Sequence, residues 1–307
     1  MILDYGGDER NPPDSKGGIV EFGVRGAQFV RLNGSTNVIY IGRTGTKESL
    51  RGFFESLEPS RSMWWLRDKG YEFDVRWCPL PDELVKDAFQ YRLNSYMAEH
   101  WEQPSGHRIP GGTDPTATRK GLQGLGPIMA SYDGDVWSDW YQYLDEEKFS
   151  SEYTSGPPHL KPPGSWSDWY PLTPDGMGKK LPESRYGIYE ISMQEEFPRF
   201  RGRSGTVNIG MAGVMAGKKR GQYLTERLKD KLRSGPGIPG GWSGTMKWLA
   251  EDDPNITFKG RWFPEEGYRS GQNAERAENW RILEYLACHL EMPPGQPKPP
   301  AGHNFIR

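Results

Sequence analysis

The feature that most constrains this chain of 307 residues is an internal duplication. Five short segments recur in the same order and at similar spacing in its two halves. The pairs are 18–22 with 187–191, 39–42 with 207–210, 63–66 with 246–249, 76–79 with 261–264, and 91–100 with 280–289. Because ordered self-similarity is the signature of repeated structural units, we expect one copy near residues 15–110 and a second near 185–307.

Each copy has the pattern of a small α+β domain. Runs rich in β-branched and aromatic residues predict three strands per copy, at 18–24, 37–42 and 71–77, and at 186–192, 205–210 and 256–262. Helices are predicted at 47–57, 82–102, 222–233 and 272–291. The expected fold is therefore two tandem domains, 1–110 and 185–307, each a three-stranded sheet flanked by helices, joined by a connector at 111–184.

Composition excludes several classes of protein. Mean hydropathy is −0.80 and no apolar run approaches the length of a spanning helix. Aromatic residues make up 13% of the chain, which argues against disorder. The two cysteines cannot form a disulfide framework, and the N-terminus has no secretory pattern. We therefore expect a cytoplasmic protein without a membrane partner.

Basic residues are concentrated in one segment, although the formal net charge is only −2. Residues 199–233 hold ten basic and two acidic side chains. Such a cluster is typical of phosphate binding, although a solvated face explains the charge equally well. The candidate nucleic-acid contacts are Arg199, Arg201, Arg203, Lys218, Lys219 and Arg220.

The connector is rich in glycine, proline and acidic residues, and it carries its own repeat. The segment Trp-Ser-Asp-Trp-Tyr occurs at 137–141 and again at 166–170. The rings could attach the connector to the domains, or they could form a surface for bases or a docking site for a larger assembly. The acidity of the connector argues against direct contact with a phosphate chain.

Copy two contains a series of short motifs in a fixed order: Gly187-Ile188-Tyr189, Ile209-Gly210 at the end of the next strand, Arg227 in the following helix, Glu284 in a later helix and Asn304 near the end. In these motifs it resembles the GIY-YIG nuclease family. The resemblance implies a metal-dependent endonuclease that hydrolyses DNA, with RNA as the alternative substrate, using Mg²⁺ or Mn²⁺. It also implies that Glu284 binds the metal.

Elementary chemistry gives each of these residues a role. Tyr189 would be the general base if nearby positive charge lowers its pKa. Arg227 and Lys231, one helical turn apart, would hold a phosphate. Glu284 is expected against an apolar stripe, where a carboxylate needs a metal or an ion pair. Asn208 stands where the family has its second tyrosine, and Asn208 and Asn304 would supply supporting polar contacts.

Copy one has the pattern of a non-catalytic relative. It carries Val20 in place of the first tyrosine and Ser95 in place of Glu284, although it keeps Tyr40 and an arginine, Arg51. One active centre per chain implies a nick in one strand, unless a homodimer cuts both. The alternative is an inactive nucleic-acid-binding or scaffold protein built from two degenerate nuclease domains, which the replacement by Asn208 favours.

Overall fold

The structure is a computed structural model, and its described residues divide into two units. They are 2–3, 9–14, 16–57, 61–105, 115–129, 137–144, 164–182, 186–212, 223–233, 244–264 and 272–295. Unit 1 holds the described residues up to 144, and unit 2 holds those from 164 onward. The described connector residues are thus shared between the two units.

Unit 1 is an antiparallel sheet with helices packed on it. Its strands are β1 Ile2–Leu3, β2 Gly17–Val24, β3 Phe29–Val30, β4 Ser35–Thr36, β5 Val38–Arg43, β6 Phe73–Leu80 and β7 Tyr141–Tyr143. Its helices are α1 Leu50–Ser56, α2 Arg61–Asp68, α3 Asp82–His100 and α4 Pro115–Met129. The main sheet has the spatial order β1-β7-β6-β2-β5, and β3 pairs with β4 in a separate hairpin. Every residue of the central strand β2 is buried.

Unit 2 repeats this plan. Its strands are β8 Tyr170–Pro171, β9 Gly187–Pro198, β10 Arg203–Ala212 and β11 Phe258–Pro264. Its helices are α5 Leu224–Arg233, α6 Gly244–Asp252 and α7 Gln272–His289, and a short 3₁₀-helix spans Met177–Lys180. The strand order is β10-β9-β11-β8 with antiparallel neighbours.

The two sheets place corresponding strands in the same order. In this correspondence β5, β2, β6 and β7 match β10, β9, β11 and β8. The α+β class is confirmed by these antiparallel sheets with flanking helices. The prediction of three strands per copy was incomplete, because the connector supplies a fourth strand to each sheet. Helices α2, α4 and α6 were also not predicted.

Corresponding residues of the long helices form the core in both units. In unit 1, Val85 and Ala88 of α3 pack with Ile19 and Cys78 of the sheet. In unit 2, Ala277 of α7 packs with Ile188 and Phe263. Because these side chains are apolar and buried in both units, they stabilise the fold through the hydrophobic effect. Within the described ranges, none of the helices combines the length and apolar character that a membrane crossing requires.

Candidate active site

Tyr189 lies in β9 with its ring against the neighbouring strand β10. In the strand register Tyr189 is opposite Gly210. A Cβ at Gly210 would collide with the Tyr189 hydroxyl, so this glycine provides the space that the phenol occupies. Tyr189 is only 6% exposed. The strand pairing therefore fixes the phenol over the glycine near the end of β10.

Helix α5 brings two basic side chains to this ring. Leu224 anchors the helix on Gly187, where an added Cβ would lie 3.1 Å from Leu224 Cδ2. Arg227 and Lys231 lie one turn apart on the same side of α5. The Nζ atom of Lys231 is 5.8 Å from the centre of the Tyr189 ring. Three of the side chains singled out in the sequence are thus brought together.

The phenol of Tyr189 is held in its protonated form. Burial raises the pKa of Tyr189 to about 12; Arg227 lowers it by less than burial raises it, and Glu278 and Asp230 raise it further. Positive charge does lower this pKa, as the sequence suggested, but burial outweighs it, so the condition for Tyr189 to act as a general base is not met. At neutral pH the hydroxyl is a hydrogen-bond donor rather than a base.

Lys231 titrates nearer to neutral pH than an ordinary lysine. Burial lowers the pKa of Lys231 to about 8, the positive charge of Arg227 lowers it too, and Asp230 opposes the shift. A desolvated ammonium beside a second cation readily gives up its proton. Near pH 8 Lys231 is therefore able both to attract a phosphate and to exchange a proton.

The carboxylate beside Tyr189 belongs to Glu278 and not to Glu284. Glu278 is half-buried and close enough to raise the pKa of Tyr189. Glu284, six residues later on α7, has a 49% exposed side chain, and its Oε2 lies 3.1 Å from Nη1 of Arg281. The expectation that Glu284 is embedded in an apolar stripe is wrong, because the buried residues of this part of the helix are Ile282, Tyr285 and Leu286.

Asn208, in place of a second tyrosine, is buried in β10. Its Nδ2 donates a hydrogen bond to the Gly295 carbonyl at 3.1 Å. Within the described part of the chain, its Oδ1 has no hydrogen-bond partner. Asn208 therefore contacts the segment after α7. The second predicted amide, Asn304, lies outside the described residues.

The arginines of 199–203 make structural contacts. The Nε of Arg199 lies 2.7 Å from Oε1 of Glu291, and both side chains are at most 1% exposed. Arg201 donates to the carbonyls of Cys288 and Ala287 at the end of α7, where a cation complements the helix dipole. The prediction that Arg199 binds nucleic acid is wrong, because the side chain is buried in an ion pair.

Of the other predicted nucleic-acid contacts, only Arg203 lies within the described residues. Arg203 is exposed, and its guanidinium donates to the carbonyl of Glu196. Lys218, Lys219 and Arg220 lie outside the described residues.

Unit 1 shows which helix residues truly correspond. Leu50 packs on Gly18 as Leu224 packs on Gly187, with the same hypothetical Cβ distance of 3.1 Å. Counting from these leucines, the residue that matches Arg227 is Phe53. The sequence-based pairing of Arg51 with Arg227 was therefore wrong by two residues.

Arg51 makes a surface ion-pair cluster instead. Its guanidinium contacts Asp14 at 3.1 Å and Glu55 at 3.2 Å, and all three side chains are more than half exposed. In unit 2, by contrast, the cations of the helix lie beside the buried ring of Tyr189.

Aromatic rings take the place of the charged cluster in unit 1. A Cβ at Gly42, the counterpart of Gly210, would lie 2.7 Å from Tyr40 Cε1 and 2.9 Å from Phe53 Cζ. Phe89, which matches Glu278, lines a pocket of about 260 Å³ with Tyr40 and Arg43. A tyrosine thus covers the glycine in both units, but it comes from different strands.

Sequence reasoning missed a buried carboxylate that both units share. Glu190 is 0% exposed and binds Arg261 at 2.7 Å and Arg281 at 2.8 Å. Burial alone would raise the pKa of Glu190, but Arg281 and Arg261 hold it below its ordinary value. In unit 1, Glu21 is equally buried and binds Arg76 and Arg92. The signal was present, since all three residues of the set are identical in the two copies.

An aromatic pair borders the charged cluster. Tyr223 immediately precedes α5, is 41% exposed and has its carbonyl bonded to the Arg227 N–H at 2.9 Å. Its ring meets that of Tyr186 edge to face at 6.5 Å. An exposed ring one turn from an arginine gives a base a surface for stacking beside a phosphate site.

Among the described residues, no group of three or more His, Cys, Asp and Glu is arranged to hold a metal ion. No protein-family model, no curated protein and no solved structure matches the chain.

Proposed function

We propose that unit 2 is a metal-dependent endonuclease that hydrolyses DNA phosphodiester bonds, while unit 1 has a structural or DNA-binding role. The proposal is carried by one comparison between the units. Four corresponding positions are polar in unit 2 and apolar in unit 1: Tyr189 and Val20, Arg227 and Phe53, Lys231 and Leu57, Glu278 and Phe89. The fold accepts apolar side chains at these places, so packing does not account for the polar set.

The cluster has the groups that phosphodiester hydrolysis needs. Arg227 offers a planar fork and Lys231 a compact charge to a phosphate. The protonated hydroxyl of Tyr189 donates a hydrogen bond to a phosphate oxygen, where charge develops in the transition state. Near pH 8, the neutral form of Lys231 accepts the proton that an attacking water must lose, and the ammonium that results provides the charge beside the phosphate.

The donor set fits a magnesium-type ion bound mainly by substrate. Glu278 offers a half-buried carboxylate near Tyr189, and Mg²⁺ commonly uses one or two carboxylates together with phosphates and water. When bound, such an ion stabilises phosphate charge and lowers the pKa of water. We therefore transfer the proposed ligand from Glu284, which is exposed and paired with Arg281, to Glu278.

Plasmid nicking in the presence of Mg²⁺ tests this function. Glu278→Gln and Tyr189→Phe should each reduce the nicking rate about a hundredfold or more, as loss of a transition-state donor does. Glu284→Gln is the matched control on the same helix and should retain nearly full activity. If Glu284→Gln abolishes nicking and Glu278→Gln does not, the site is misassigned. If wild-type protein cleaves neither DNA nor RNA with Mg²⁺ or Mn²⁺, the hydrolase proposal fails.

Two observations favour the alternative of a non-cleaving nucleic-acid-binding protein. Asn208 replaces a phenol that could exchange a proton, and the pKa of Tyr189 is raised rather than lowered. In that case Arg227 and Tyr223 would still support binding. Retention of a labelled oligonucleotide, weakened by Arg227→Ala and unaccompanied by cleavage, would identify this function. A linear product rather than a nicked circle would indicate that a homodimer acts on both strands.

A further inference from the structure

Each Trp-Ser-Asp-Trp-Tyr segment lies beside one strand of a sheet, β6 in unit 1 and β11 in unit 2. We call the surface of each unit that the segment covers the groove. In unit 1, the Ser138 N–H donates to the Trp77 carbonyl at 2.8 Å, and the Trp77 N–H donates to Ser138 Oγ at 3.0 Å. The guanidinium of Arg76 lies 4.6 Å from the ring of Trp137 and 4.7 Å from that of Trp140. The sheet therefore binds the segment through its backbone, its serine hydroxyl and both tryptophan rings.

The groove of unit 2 holds the second segment by the same contacts. Ser167 and Trp262 exchange hydrogen bonds of 2.8 and 3.0 Å. Arg261 lies 4.3 Å from the ring of Trp166 and 4.4 Å from that of Trp169. The agreement in both bond lengths and ring distances indicates one kind of binding site used twice.

Register and stacking also agree between the two grooves. Tyr141 pairs with Val75 and stacks on Trp77, while Tyr170 pairs with Gly260 and stacks on Trp262. Val75 and Gly260 are the residues just before Arg76 and Arg261, so the two segments pair with β6 and β11 in the same register. A shift of one residue would turn the side chains to the other face.

The covalent path to the groove is different in the two units. In unit 1 the segment follows the rest of the sheet along the chain, whereas in unit 2 it precedes the central strands. The segment therefore occupies equivalent positions in the two sheets, although it comes after the other strands in the sequence of unit 1 and before them in the sequence of unit 2. Because the connection differs and the contacts do not, the contacts rather than the connection determine where the segment binds.

We propose that this groove is a peptide-binding site for a Trp-Ser-Asp-Trp-Tyr strand, and that a second copy of the chain can supply that strand. The binding mode is pairing of a strand with β6 or β11, between β6 and β1 in unit 1 and at the sheet edge in unit 2, with backbone hydrogen bonds for affinity and side-chain contacts for specificity. The arginine between two indole rings adds a cation–π contact on each side. The inference does not depend on whether unit 2 cleaves nucleic acid.

Cross-binding of a peptide tests the site in the full-length chain. The double variant Trp137→Ala, Trp140→Ala removes both indole contacts of the native segment with Arg76 and so weakens its hold on the unit 1 groove. A labelled peptide with the sequence of residues 165–172, taken from the other segment, should bind this variant in a 1:1 ratio by fluorescence anisotropy. Binding to the wild-type chain should be at least about tenfold weaker, because its grooves are occupied: a backbone–backbone hydrogen bond, a hydrogen bond to the serine hydroxyl and two cation–π contacts must be displaced.

Controls separate sequence recognition from nonspecific adsorption. A peptide with both tryptophans replaced by alanine should not bind, and adding Arg76→Lys to the double variant, which keeps a cation beside Glu21 but removes the guanidinium between the indole rings, should weaken binding of the intact peptide. Circular dichroism checks that each variant is folded; if the double variant is not, the single variant Trp140→Ala replaces it. A folded variant that ignores the intact peptide, or binds both peptides equally, overturns the proposal.

Donation by a second copy is tested by mixing two chains. One is the double variant, in which the native segment of unit 1 is held more weakly, and the other is Arg76→Lys, whose intact segment has lost the guanidinium between its rings. Light scattering after size exclusion should show a 1:1 heterodimer that neither chain forms alone. Absence of this species at concentrations where the peptide binds overturns exchange between copies.

Discussion

Replacing Glu190 by glutamine should destabilise unit 2 by about 3 kcal/mol. The carboxylate is fully buried and accepts hydrogen bonds from Arg261, Arg281 and Thr206. Glutamine preserves the shape but removes the negative charge and presents an NH₂ group to donors. The two guanidiniums would then face each other without their common counter-ion.

The magnitude follows from the exposure of the arginines. Breaking a buried ion pair by removing one partner costs about 3–5 kcal/mol. The side chains of Arg261 and Arg281 retain 22% and 14% exposure, so water can solvate part of their charge. We therefore expect the lower end of the range, which is roughly a hundredfold change in the unfolding equilibrium constant because each 1.4 kcal/mol is about tenfold.

The effect should depend on pH in a defined direction. The pKa of Glu190 is lower in the folded protein than its ordinary value. The carboxylate therefore stabilises the fold fully above the unfolded pKa of about 4.3, and this contribution is lost as the pH falls through the folded pKa. The difference between wild type and Glu190→Gln should accordingly shrink below about pH 4.

Denaturant unfolding at pH 7, followed by tryptophan fluorescence, measures the change. Glu284→Gln is a matched control, because Glu284 binds the same Arg281 but its side chain is 49% exposed. We expect the control to cost less than about 1 kcal/mol. If Glu190→Gln costs no more than the control, the buried carboxylate does not stabilise unit 2 and the reasoning is refuted.

Three further outcomes are expected. Lys231→Met should raise the melting temperature at pH 7 while lowering any nicking activity, and a lower melting temperature would contradict this. The stability of the wild-type protein should rise from about pH 8 to pH 10, because in this range the unfolded chain binds more protons at Lys231 than the folded chain does. Tyr223→Ala should weaken binding of a single-stranded oligonucleotide, measured by anisotropy, by about 1–3 kcal/mol, and unchanged affinity would exclude stacking there. Glu291→Ala should reduce the free energy of unfolding by about 3–5 kcal/mol because it leaves Arg199 buried without its charge, and a change below about 1 kcal/mol in denaturant unfolding would argue against the buried pair.

The repeated segments predicted the central strands and the two long helices well. Helices predicted at 82–102 and 272–291 are observed at Asp82–His100 and Gln272–His289. Long periodic patterns carry this information within the segment itself. The strands Tyr141–Tyr143 and Tyr170–Pro171 are too short to show alternation. They form by pairing with strands that are distant in the sequence, β6 and β11.

The site was predictable only in part, because helix faces were assigned from neighbours in sequence. Tyr189, Arg227 and Lys231 do lie together. Glu284 was expected to be buried because Leu283 and Ala287 are apolar, yet Ala287 is exposed. The buried side of the helix passes through Ile282 and Tyr285, and Glu278 precedes these by four and seven residues. A stripe traced back from Ile282 would have selected Glu278.

The outer strand of unit 2 also has a practical consequence for dissecting the protein. A fragment designed on the sequence boundary at residue 185 would omit Trp166, Ser167, Trp169 and Tyr170. Arg261 would lose both indole faces, and the edge of Phe258–Pro264 would be left without its partner strand. An uncovered edge of this kind promotes aggregation. Recombinant versions of the second half should therefore begin no later than residue 164, and failure of a shorter one to cut a substrate would reflect damaged architecture rather than absent chemistry.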